Sequence, residues 1–382
     1  MDERENVVMN IVMVSNYMNH HQIPFCDELF VLTNGEFKFI ATNPVAEFRI
    51  NLGYHNMDKE RDYIIASYEN EGSYNCAKKI CEKADVLIIG NVSKAFKVPL
   101  TKHKMVFYYS ERLFKDIKAV CSNAGRFAKY FMKRLKYKNT YLLCASAYAA
   151  HDYRITGNFK KNALKWGYFP EAFDYSMTDL IEKKRNETVK ILWVGRLIEW
   201  KHPELAVKTA KYLDEKKIDF EMEIIGEGEM EGLLKNQIIE DKLSEKVKIL
   251  GSIPQEEVRL HMEKSNIYLF TSDQNEGWGA VLNEAMNAAC AVIGCLEAGS
   301  VPYLINNQTG VVFHKNDMKT LFHCCEKLAL NPDLVLQIGL LAHERIQNVW
   351  NGKVAARRIL QVIESRQSGE RIDFDDGPCS PA

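Results

Sequence analysis

The sequence predicts an α/β protein made of two units, each built on a parallel β-sheet that helices cover on both faces. The chain has 382 residues, a length that usually divides into two domains. Short apolar runs alternate along it with longer segments of helical periodicity, as buried parallel strands alternate with their crossover helices. This alternation stops near residue 167 and then starts again, so two successive α/β units are expected.

Ten apolar runs have the length and composition of buried strands. In the first half they are Val8–Ser15, Phe37–Ala41, Val86–Ile89, Met105–Tyr109 and, more weakly, Tyr141–Ser146. In the second half they are Val189–Val194, Phe220–Ile225, Val247–Leu250, Ile267–Phe270 and Ala291–Gly294. Because polar turn residues or helical patterns separate the runs, the strands of each half are expected to lie parallel.

The domain boundaries follow from where this pattern is interrupted. We expect a first domain over residues 1–170, a linker over 171–187 and a second domain over 188–348. A helix over 349–365 follows and can pack back on the first domain. Residues 366–382 are polar and contain Pro and Gly, so a flexible tail is expected there.

Composition excludes several classes of function. Fifty Lys and Arg residues balance 51 Asp and Glu residues, so no nucleic-acid partner is expected from bulk charge. The ten cysteines form no C-x-x-C pair and no Cys/His zinc spacing, which favours buried free thiols in a reducing compartment. No cofactor and no metal are therefore expected.

The N-terminal sequence predicts a cytoplasmic protein. Residues 2–5 are mostly acidic where a signal peptide would be basic, and the apolar run Ile11–Val14 is too short for a secretory core. No stretch approaches the ~20 apolar residues that a membrane span requires.

The first candidate site motif runs from Lys190 to Leu197. A strand ends at Gly195, the following loop presents Arg196 and Lys201, and Pro203 then opens a helix. Loops beyond the carboxyl ends of parallel strands bind ligands, and two cations there suit a diphosphate. Two solvated surface cations are the alternative interpretation.

The second motif, Gly226-Glu227-Gly228, follows another predicted strand. Glycines allow a backbone to approach a phosphate or ribose closely. The motif lacks the third glycine of a dinucleotide-binding turn, and by itself it is weak evidence.

The third motif spans Glu276 to Glu284. A helix is expected to begin near Gly277–Ala280, where accessible backbone N–H groups would form an anion site. The helical rise would separate the two glutamate Cα atoms by about 10–12 Å, too far for carboxylates that flank one bond. The spacing suits two ends of one elongated ligand. The alternative is a solvated glutamate followed by a helix-surface glutamate.

These motifs resemble the retaining glycosyltransferases of family 4, over roughly Val189–Trp350. The resemblance is carried by four motifs in the family's order: Gly195-Arg196-Leu197 with Lys201, Gly226-Glu227-Gly228, Gly251-Ser252-Ile253-Pro254, and Glu276…Glu284. It implies the GT-B architecture, two facing Rossmann-like domains with a donor cleft between them.

The resemblance also implies roles for individual residues. Arg196 and Lys201 would hold the donor diphosphate, Glu276 would touch the donor sugar, and Glu284 would bind the ribose. The loop that contains Ile253 would meet the base. The remaining donor-binding candidates are Gly226, Gly228, Gly277, Trp278 and Gly279.

The first half departs from the common family pattern. The first strand leads into Ser15-Asn16-Tyr17 and then His20-His21-Gln22 without a glycine-rich loop, and Ser110-Glu111-Arg112 follows a later strand where many relatives carry a His. These features resemble the bacterial branch that builds capsular or exopolysaccharide. Glu111 is carried over as the counterpart of the missing His, and His20 or His21 as acceptor-side residues. A loop His bonded to backbone is the alternative.

Residues 126–138 carry six cations and no acid. At helical spacing Phe127, Tyr130, Phe131 and Leu135 share a face bordered by Lys and Arg, which is typical of a helix on the inner face of an anionic membrane. A partly buried helix with solvated cations is the alternative. The sequence Asp373-Phe374-Asp375 matches a metal-binding D-x-D, but it follows the last predicted helix, so we interpret it as coincidence.

The predicted reaction is transfer of a hexose or N-acetylhexosamine, with retention, from a UDP-linked donor to a growing, lipid-linked polysaccharide. Three alternatives stay open: a nucleotide-sugar epimerase of the same fold, a nicotinamide oxidoreductase, and a non-catalytic subunit of a polysaccharide assembly complex. The oxidoreductase would need a glycine motif after the first strand, and Asn16–Gln22 has none.

Overall fold

The structure is a computed structural model, and the chain folds as two compact units. The residues it describes are 9–46, 50, 56–90, 92, 96, 105–115, 124–134, 136–137, 140–185, 187–370 and 372–382. The first unit consists of Met1–Glu171 and Asn351–Ala382, and the second of Ala172–Trp350.

The first unit contains a seven-stranded sheet. Its strands are β1 Ile11–Ser15, β2 Lys38–Ala41, β3 Ile64–Ala66, β4 Val86–Ile89, β5 Met105–Ser110, β6 Thr140–Cys144 and β7 Ala163–Lys165. They are parallel and lie in the order β3-β2-β1-β4-β5-β6-β7. The described helices are α1 Ile23–Leu32, α2 Glu71–Lys83, α3 Ala124–Lys133 and α4 Ala149–Ile155.

The second unit contains a six-stranded parallel sheet in the order β10-β9-β8-β11-β12-β13. Its strands are β8 Val189–Val194, β9 Phe220–Ile225, β10 Val247–Gly251, β11 Ile267–Phe270, β12 Ala291–Cys295 and β13 Gly310–Phe313. Its helices are α5 Met177–Lys184, α6 Glu204–Glu215, α7 Glu231–Glu240, α8 Gln255–Lys264, α9 Val281–Asn287, α10 Val301–Leu304, α11 Met318–Ala329 and α12 Pro332–Asn348.

The predicted strands are confirmed over the described residues, and three strands were missed. The central strands β1, β11 and β12 are buried along their whole length, which explains why they appear in the sequence as continuous apolar runs. The missed strands β3, β7 and β13 have only three or four residues each and lie at or next to sheet edges. Each missed strand is also only partly buried, and a short strand without a continuous buried run cannot be told from a loop by periodicity.

The strand order places the loops that carry the candidate motifs. In the second sheet the order reverses beside β8, whose neighbours are β9 on one side and β11 on the other. In such sheets the loops at the carboxyl ends of the two strands at the reversal diverge and leave room for a ligand. The loops after β8 and β11 are those of Arg196–Lys201 and of Glu276.

The structure corrects the predicted linker. The sequence predicts a linker over 171–187, whereas α5 begins after Ser176, whose hydroxyl caps the amide of Asp179. Lys184 at its end is buried, and its Nζ donates to the carbonyl oxygens of Met262 (2.7 Å) and Ser265. These contacts make the segment part of the second unit.

A last helix, α13 Gly352–Ser368, belongs to the first unit, where it packs against α1. A Cβ on Gly352 would lie 2.5 Å from the backbone nitrogen of Phe25, so the close approach of the two helices requires a glycine there. Among the described helices, none is both long enough and apolar enough to cross a membrane.

The structure also corrects the expectation of a flexible tail over residues 366–382. After Gly369 the chain returns to the sheet, where the amide of Lys165 donates to Ser380 O (2.7 Å) and that of Cys379 to Lys165 O (2.8 Å). An antiparallel bridge joins Leu164 and Pro381. The tail satisfies backbone groups on the open edge of β7, a long-range need that local polarity does not reveal.

Candidate functional site

The loop after β8 brings the two predicted cations to one indole ring. Glu199–Lys201 forms a single 3₁₀ turn that follows the Gly195–Leu197 segment. The Arg196 guanidinium lies 5.7 Å from the centroid of the Trp200 ring, and the Lys201 Nζ lies 4.9 Å from it. Cations at this distance are attracted to the face of the ring, so Trp200 keeps the two positive charges close together.

Gly226 and Gly228, in the loop after β9, pack against the backbone of this loop. A Cβ on Gly226 would lie 1.8 Å from Gly195 O, and one on Gly228 would lie 2.5 Å from Leu197 O. The amide of Leu197 donates to Glu227 O at 2.8 Å. The glycines are therefore needed for the packing of one loop on another. Their direct approach to a ligand stays a prediction.

The loop after β11 is fastened to the loop after β8. The Thr271 hydroxyl donates to Lys201 O (2.6 Å) and accepts a hydrogen bond from Trp193 Nε1 (2.8 Å). The amide of Asp273 donates to Trp200 O at 3.0 Å. These bonds bring the motifs of two neighbouring strands into one site.

At the centre of the site, the Lys201 ammonium donates to the Glu276 carboxylate. The two side chains are only 12% and 11% exposed, so each charge neutralises the other where little water reaches them. Arg196 is exposed at the surface of the same loop. The arrangement offers cations for an anionic group and a carboxylate that can accept hydroxyl hydrogens.

The path from Glu276 to Glu284 differs from the predicted one. The helix α9 begins at Val281 and has seven residues, so Gly277–Ala280 is not helical. Gly279 has φ +84°, and a Cβ there would lie 2.4 Å from the Phe270 ring. The helix therefore begins later than predicted, so the helical-rise estimate does not apply to the whole segment, and the anion site stays a prediction.

The Trp278 side chain is buried in the core, so the structure shows a packing role for its ring, and the predicted donor contact stays a prediction. Its Nε1 donates to Asn283 Oδ1 at 2.9 Å. Its ring lies 6.2 Å from that of Tyr303 and 5.9 Å from that of Trp350. The side chain anchors the loop in the core, and the flanking Gly277 and Gly279 are buried with it.

Glu284 lies beside the start of α8. Gln255 Nε2 donates to Glu284 Oε1 at 3.3 Å, and the half-exposed Ile253 lies two residues before Gln255. The structure therefore brings Glu284 next to the residue that follows the Gly251-Ser252-Ile253-Pro254 motif. Burial raises the pKa of Glu284 to about 7, partly offset by the hydrogen bond from Gln255.

Two residues of this region were missed in the sequence, His202 and Asp273. His202 Nδ1 lies 3.0 Å from Glu204 Oε1, and its Nε2 lies 3.5 Å from Asp273 Oδ2. Hydrogen bonds with Asp273 and then Glu204 raise the pKa of His202 to about 9. In the sequence, His202 follows Lys201 and Asp273 lies three residues before Glu276, which was the available signal. The contact between His202 and Asp273 depends on the fold.

In the first unit, the structure brings the candidate acceptor-side residues together through Tyr168. The Tyr168 hydroxyl donates to the Glu111 carboxylate, and its ring stacks on His21 with 4.3 Å between ring centroids. His20 contacts His21 edge-on at 5.0 Å. Burial raises the pKa of Tyr168 well above its usual range. Tyr168 was not among the site residues predicted from the sequence.

The turn that carries Glu111 is held by a buried carboxylate. Asp152 Oδ2 accepts a hydrogen bond from the amide of Phe114 (2.9 Å) and one from Arg112 Nε (3.4 Å). Tyr153 donates to the Ser110 hydroxyl at 3.0 Å. The backbone on both sides of Glu111 is therefore fixed.

The basic helix α3 has a narrower free face than predicted. Phe127 and Tyr130 pack against the core of the first unit, which leaves Phe131 (43% exposed) and Met132 (72% exposed) as its exposed apolar side chains. Arg126 and Lys129 are exposed beside them. Leu135 and Lys138, which the prediction included, lie outside the described residues.

No group of three or more His, Cys, Asp or Glu side chains could hold a metal ion within the part of the chain that the structure describes. The expectation that neither metal nor cofactor is required stays a prediction. Asp373 and Asp375 are exposed on either side of Phe374, whose ring lies 4.6 Å from the Arg358 guanidinium carbon.

The sequence of the second unit matches a known family. Residues 179–343 match the model of the glycosyl transferases group 1. The amylovoran biosynthesis glycosyltransferase AmsK of Erwinia amylovora is 27% identical over 210 residues, 54% of this chain and 51% of that protein. The putative colanic acid biosynthesis glycosyltransferase WcaL of Escherichia coli is 26% identical over 187 residues, 46% of this chain and 45% of that protein. The chain thus matches about half the length of these relatives.

Solved structures match nearly the whole chain. Anabaena Alr3699/HepE in complex with UDP has a TM-score of 0.66 at 13% identity and covers 94% of this chain and 100% of its own. A sucrose-phosphate synthase from Thermosynechococcus elongatus has a TM-score of 0.66 at 13% identity, with 95% and 100% coverage. Identities this low show the fold alone.

The fold is therefore that of the GT-B class, with two Rossmann-like units, as the sequence predicts. In sequence, residues 179–343 are similar to the glycosyl transferases group 1, the family whose model they match.

Proposed function

We propose that this protein is a glycosyltransferase that moves a sugar from a nucleoside diphosphate donor to a growing polysaccharide. The observation that carries the proposal is the Lys201–Glu276 pair beside Arg196, at the carboxyl ends of two adjacent parallel strands. Two cations match a diphosphate, and a carboxylate matches the hydroxyls of a sugar. The names of AmsK and WcaL, both for exopolysaccharide biosynthesis, support the polysaccharide product.

The pair also suggests how the donor is taken up. A diphosphate would compete with Glu276 for the Lys201 ammonium. The carboxylate released in this way would accept hydrogen bonds from the donor sugar. Binding of the anion and orientation of the sugar would then be coupled through one ion pair.

The other end of the donor would lie at Glu284, with its carboxylate accepting from the ribose hydroxyls. The loop that contains Ile253 would meet the base. Support for a uridine nucleotide comes from structurally similar proteins solved with UDP, including Alr3699/HepE with UDP and glucose and Staphylococcus aureus TarM with UDP. The sugar would be a hexose or an N-acetylhexosamine.

We propose retention of configuration without a covalent enzyme intermediate. The acceptor hydroxyl would attack the anomeric carbon on the face from which the diphosphate leaves, and a diphosphate oxygen would take the hydroxyl proton. Arg196 and Lys201 would stabilise the charge that develops on the leaving group, the largest electrostatic demand of the reaction. Glu276 would orient the sugar throughout.

The acceptor would contact Glu111, His20 and His21 of the first unit. Tyr168 connects two of these side chains, which makes a small polar cluster with an aromatic surface suited to a glycan. For a lipid-linked acceptor, the exposed side chains Arg126, Lys129 and Met132 of α3 would contact an anionic inner membrane leaflet. Sedimentation with phosphatidylglycerol vesicles tests this contact: the double variant R126Q/K129Q should lose binding, and K78Q/K79Q on α2 should keep it.

The donor assignment is tested by thermal-shift measurements against a panel of UDP-, GDP- and dTDP-sugars. A ligand at 100 times its dissociation constant adds ~2.7 kcal/mol to the stability of the folded chain. We expect a shift with a UDP-sugar that Lys201→Ala abolishes. The matched control is Lys211→Ala, which removes an exposed lysine paired with Asp241 in the same unit. Absence of a shift with every sugar nucleotide would reject the proposal.

Product analysis with donor alone separates transfer from the alternative reaction. An epimerase would convert the donor into a second nucleotide sugar without any acceptor. A transferase would leave the donor unchanged apart from slow hydrolysis to free sugar and UDP. Nuclear magnetic resonance of the donor anomeric proton distinguishes the two results.

A further inference from the structure

His202 occupies a constrained position between the two loops of the donor site. It directly follows Lys201, and its backbone is left-handed, with φ 52° and ψ 49°. A residue with a Cβ adopts this conformation at a cost of roughly 1–2 kcal/mol. Such a conformation persists only when the surroundings hold it in place.

The imidazole makes polar contacts on both of its nitrogen atoms. Nδ1 lies 3.0 Å from Glu204 Oε1, in the first turn of α6, and Nε2 lies 3.5 Å from Asp273 Oδ2, in the loop after β11. Asp273 in turn accepts the amide of Asn275 on its Oδ1 (2.8 Å), and its backbone oxygen accepts the amide of Glu276 (3.0 Å). His202 is therefore the chain neighbour of Lys201, and Asp273 alone connects its ring to the backbone of Glu276.

We propose that His202 is a positioning residue for the donor site. It is a cationic bridge that fixes the position of the loop carrying Lys201 relative to the loop carrying Glu276. The inference rests on the proposed function, because it assigns a role within the same nucleotide site. The ring itself need not touch the donor. It acts through Asp273, which shapes the turn that presents Glu276.

The charge state of the bridge gives it a measurable signature. The ionisable groups that face the ring are Glu204 from α6 and Asp273 from the loop after β11, and the neighbouring Lys201 ammonium is paired with Glu276. Hydrogen bonds with the two carboxylates raise the pKa of His202 to about 9. The bridge is therefore charged at neutral pH and loses its charge as the pH rises from 8 to 10.

The test is the affinity for UDP, measured by calorimetry between pH 7.5 and 9.5 on the full chain. The variant is His202→Asn, because Asn tolerates the left-handed backbone and carries no charge. We expect the variant to bind UDP five- to tenfold more weakly at pH 7.5 and only about two- to threefold more weakly at pH 9.5, where most of the wild-type imidazole has lost its charge. Because the uracil ring also loses a proton in this range, the ratio of variant to wild-type affinity at each pH is the informative quantity.

The control is His261→Asn, which removes another His–carboxylate contact of the second unit, 2.6 Å from His261 Nδ1 to Glu223 Oε2. It should leave UDP affinity unchanged at every pH. If His202→Asn lowers the melting temperature but binds UDP like wild type at pH 7.5, the residue is merely structural and the inference is overturned. If wild type fails to bind UDP at all, the proposed UDP donor is wrong, and the inference falls with it.

Discussion

At the scale of single residues, the charges of Lys201 and Glu276 offset each other within the proposed donor site. Both charges are largely shielded from water, so the removal of either partner leaves the other without its counter-charge. The two partners nevertheless have opposite consequences for an anionic ligand. This asymmetry allows the two proposed roles to be separated experimentally.

We predict that Glu276→Gln binds UDP at least as tightly as wild type but loses turnover of the UDP-sugar by 100-fold or more. The diphosphate no longer competes with the carboxylate for Lys201, while the sugar loses the acceptor that orients it. Lys201→Ala should instead lose UDP affinity. Calorimetry with UDP and steady-state rates on the donor check both results. Parallel losses of UDP affinity in the two variants would contradict the division of roles.

A second residue-scale prediction concerns the pH dependence of donor binding. Burial raises the pKa of Glu284 to about 7, so the carboxylate gains a proton as the pH falls from 8 to 6. A protonated carboxyl is a poorer acceptor for ribose hydroxyls, so wild-type affinity for UDP should fall over this range. Glu284→Gln should bind more weakly at pH 8 and lack this component. Calorimetric titration at each pH gives the ratio of variant to wild-type affinity, in which the protonation of UDP itself cancels.

The same carboxyl predicts a stability change with a definite sign. The ordinary pKa is 4.5, so between pH 4.5 and 7 the folded chain binds a proton that the unfolded chain has released. Wild type therefore loses stability as the pH rises through this range. Glu284→Gln should melt at a higher temperature than wild type at pH 8 and at about the same temperature at pH 4.5. The exposed acid Glu240 at the end of α7 provides the control, and Glu240→Gln should change neither property.

At the scale of elements, the proposed donor site depends on loops that pack on each other. The loop after β9 lies against the loop after β8 with no room for a side chain at Gly226 or Gly228. Arg196 and Lys201 are thus presented by a platform of three neighbouring strand ends. A change in that platform should alter binding without touching any group that contacts the donor.

We predict that Gly226→Ala destabilises the chain by about 2–4 kcal/mol and reduces UDP affinity. Its new Cβ would meet Gly195 O at 1.8 Å, and the φ of +136° disfavours any side chain. Unfolding in urea and calorimetry with UDP measure the two effects. Gly232→Ala is the control, because that glycine lies in α7 with open space around it, and alanine there should stabilise the helix by up to ~1 kcal/mol. If Gly226→Ala and Gly232→Ala had the same effects on stability and UDP affinity, the packing of the loop after β9 on the loop after β8 would not be what positions Arg196 and Lys201.

At the scale of the whole molecule, the sequence correctly predicts the features that depend on residues close together in the chain. Buried central strands such as β1 and β11 are visible as continuous apolar runs, because both faces of a parallel sheet are covered. Arg196, Lys201 and Glu276 could be grouped because each follows a strand, and parallel strands end at one edge. Lys201 and Glu276 are indeed in contact.

The residues that the sequence did not predict depend on contacts between distant segments. His202 meets Asp273 across 71 residues, and Tyr168 meets Glu111 across 57. Trp278 looked like a ligand-binding residue because it lies between two glycines, yet its ring is anchored by Asn283 and by two aromatic rings of later segments. Residue type and spacing identify the chemistry of a loop, but they do not show which side of it faces the core.

The returning tail is the clearest case in which distant contacts decide structure, and it gives a prediction for the first unit. Residues 377–380 are buried, and three backbone hydrogen bonds join the tail to β7: Lys165 N to Ser380 O, Cys379 N to Lys165 O, and Ala382 N to Ala163 O. Each bond contributes ~0.5–1.5 kcal/mol net, so deletion of residues 377–382 should cost about 2–4 kcal/mol and lower the melting temperature by several degrees. UDP affinity should stay within twofold of wild type, because the proposed donor residues all lie in the second unit. Asp375→Asn changes an exposed residue of the same tail and should melt like wild type.

If the deletion leaves the melting temperature unchanged, the tail does not stabilise the edge of the sheet. If it abolishes UDP binding, the donor site depends on the first unit in a way that the loops after β8 and β11 do not explain.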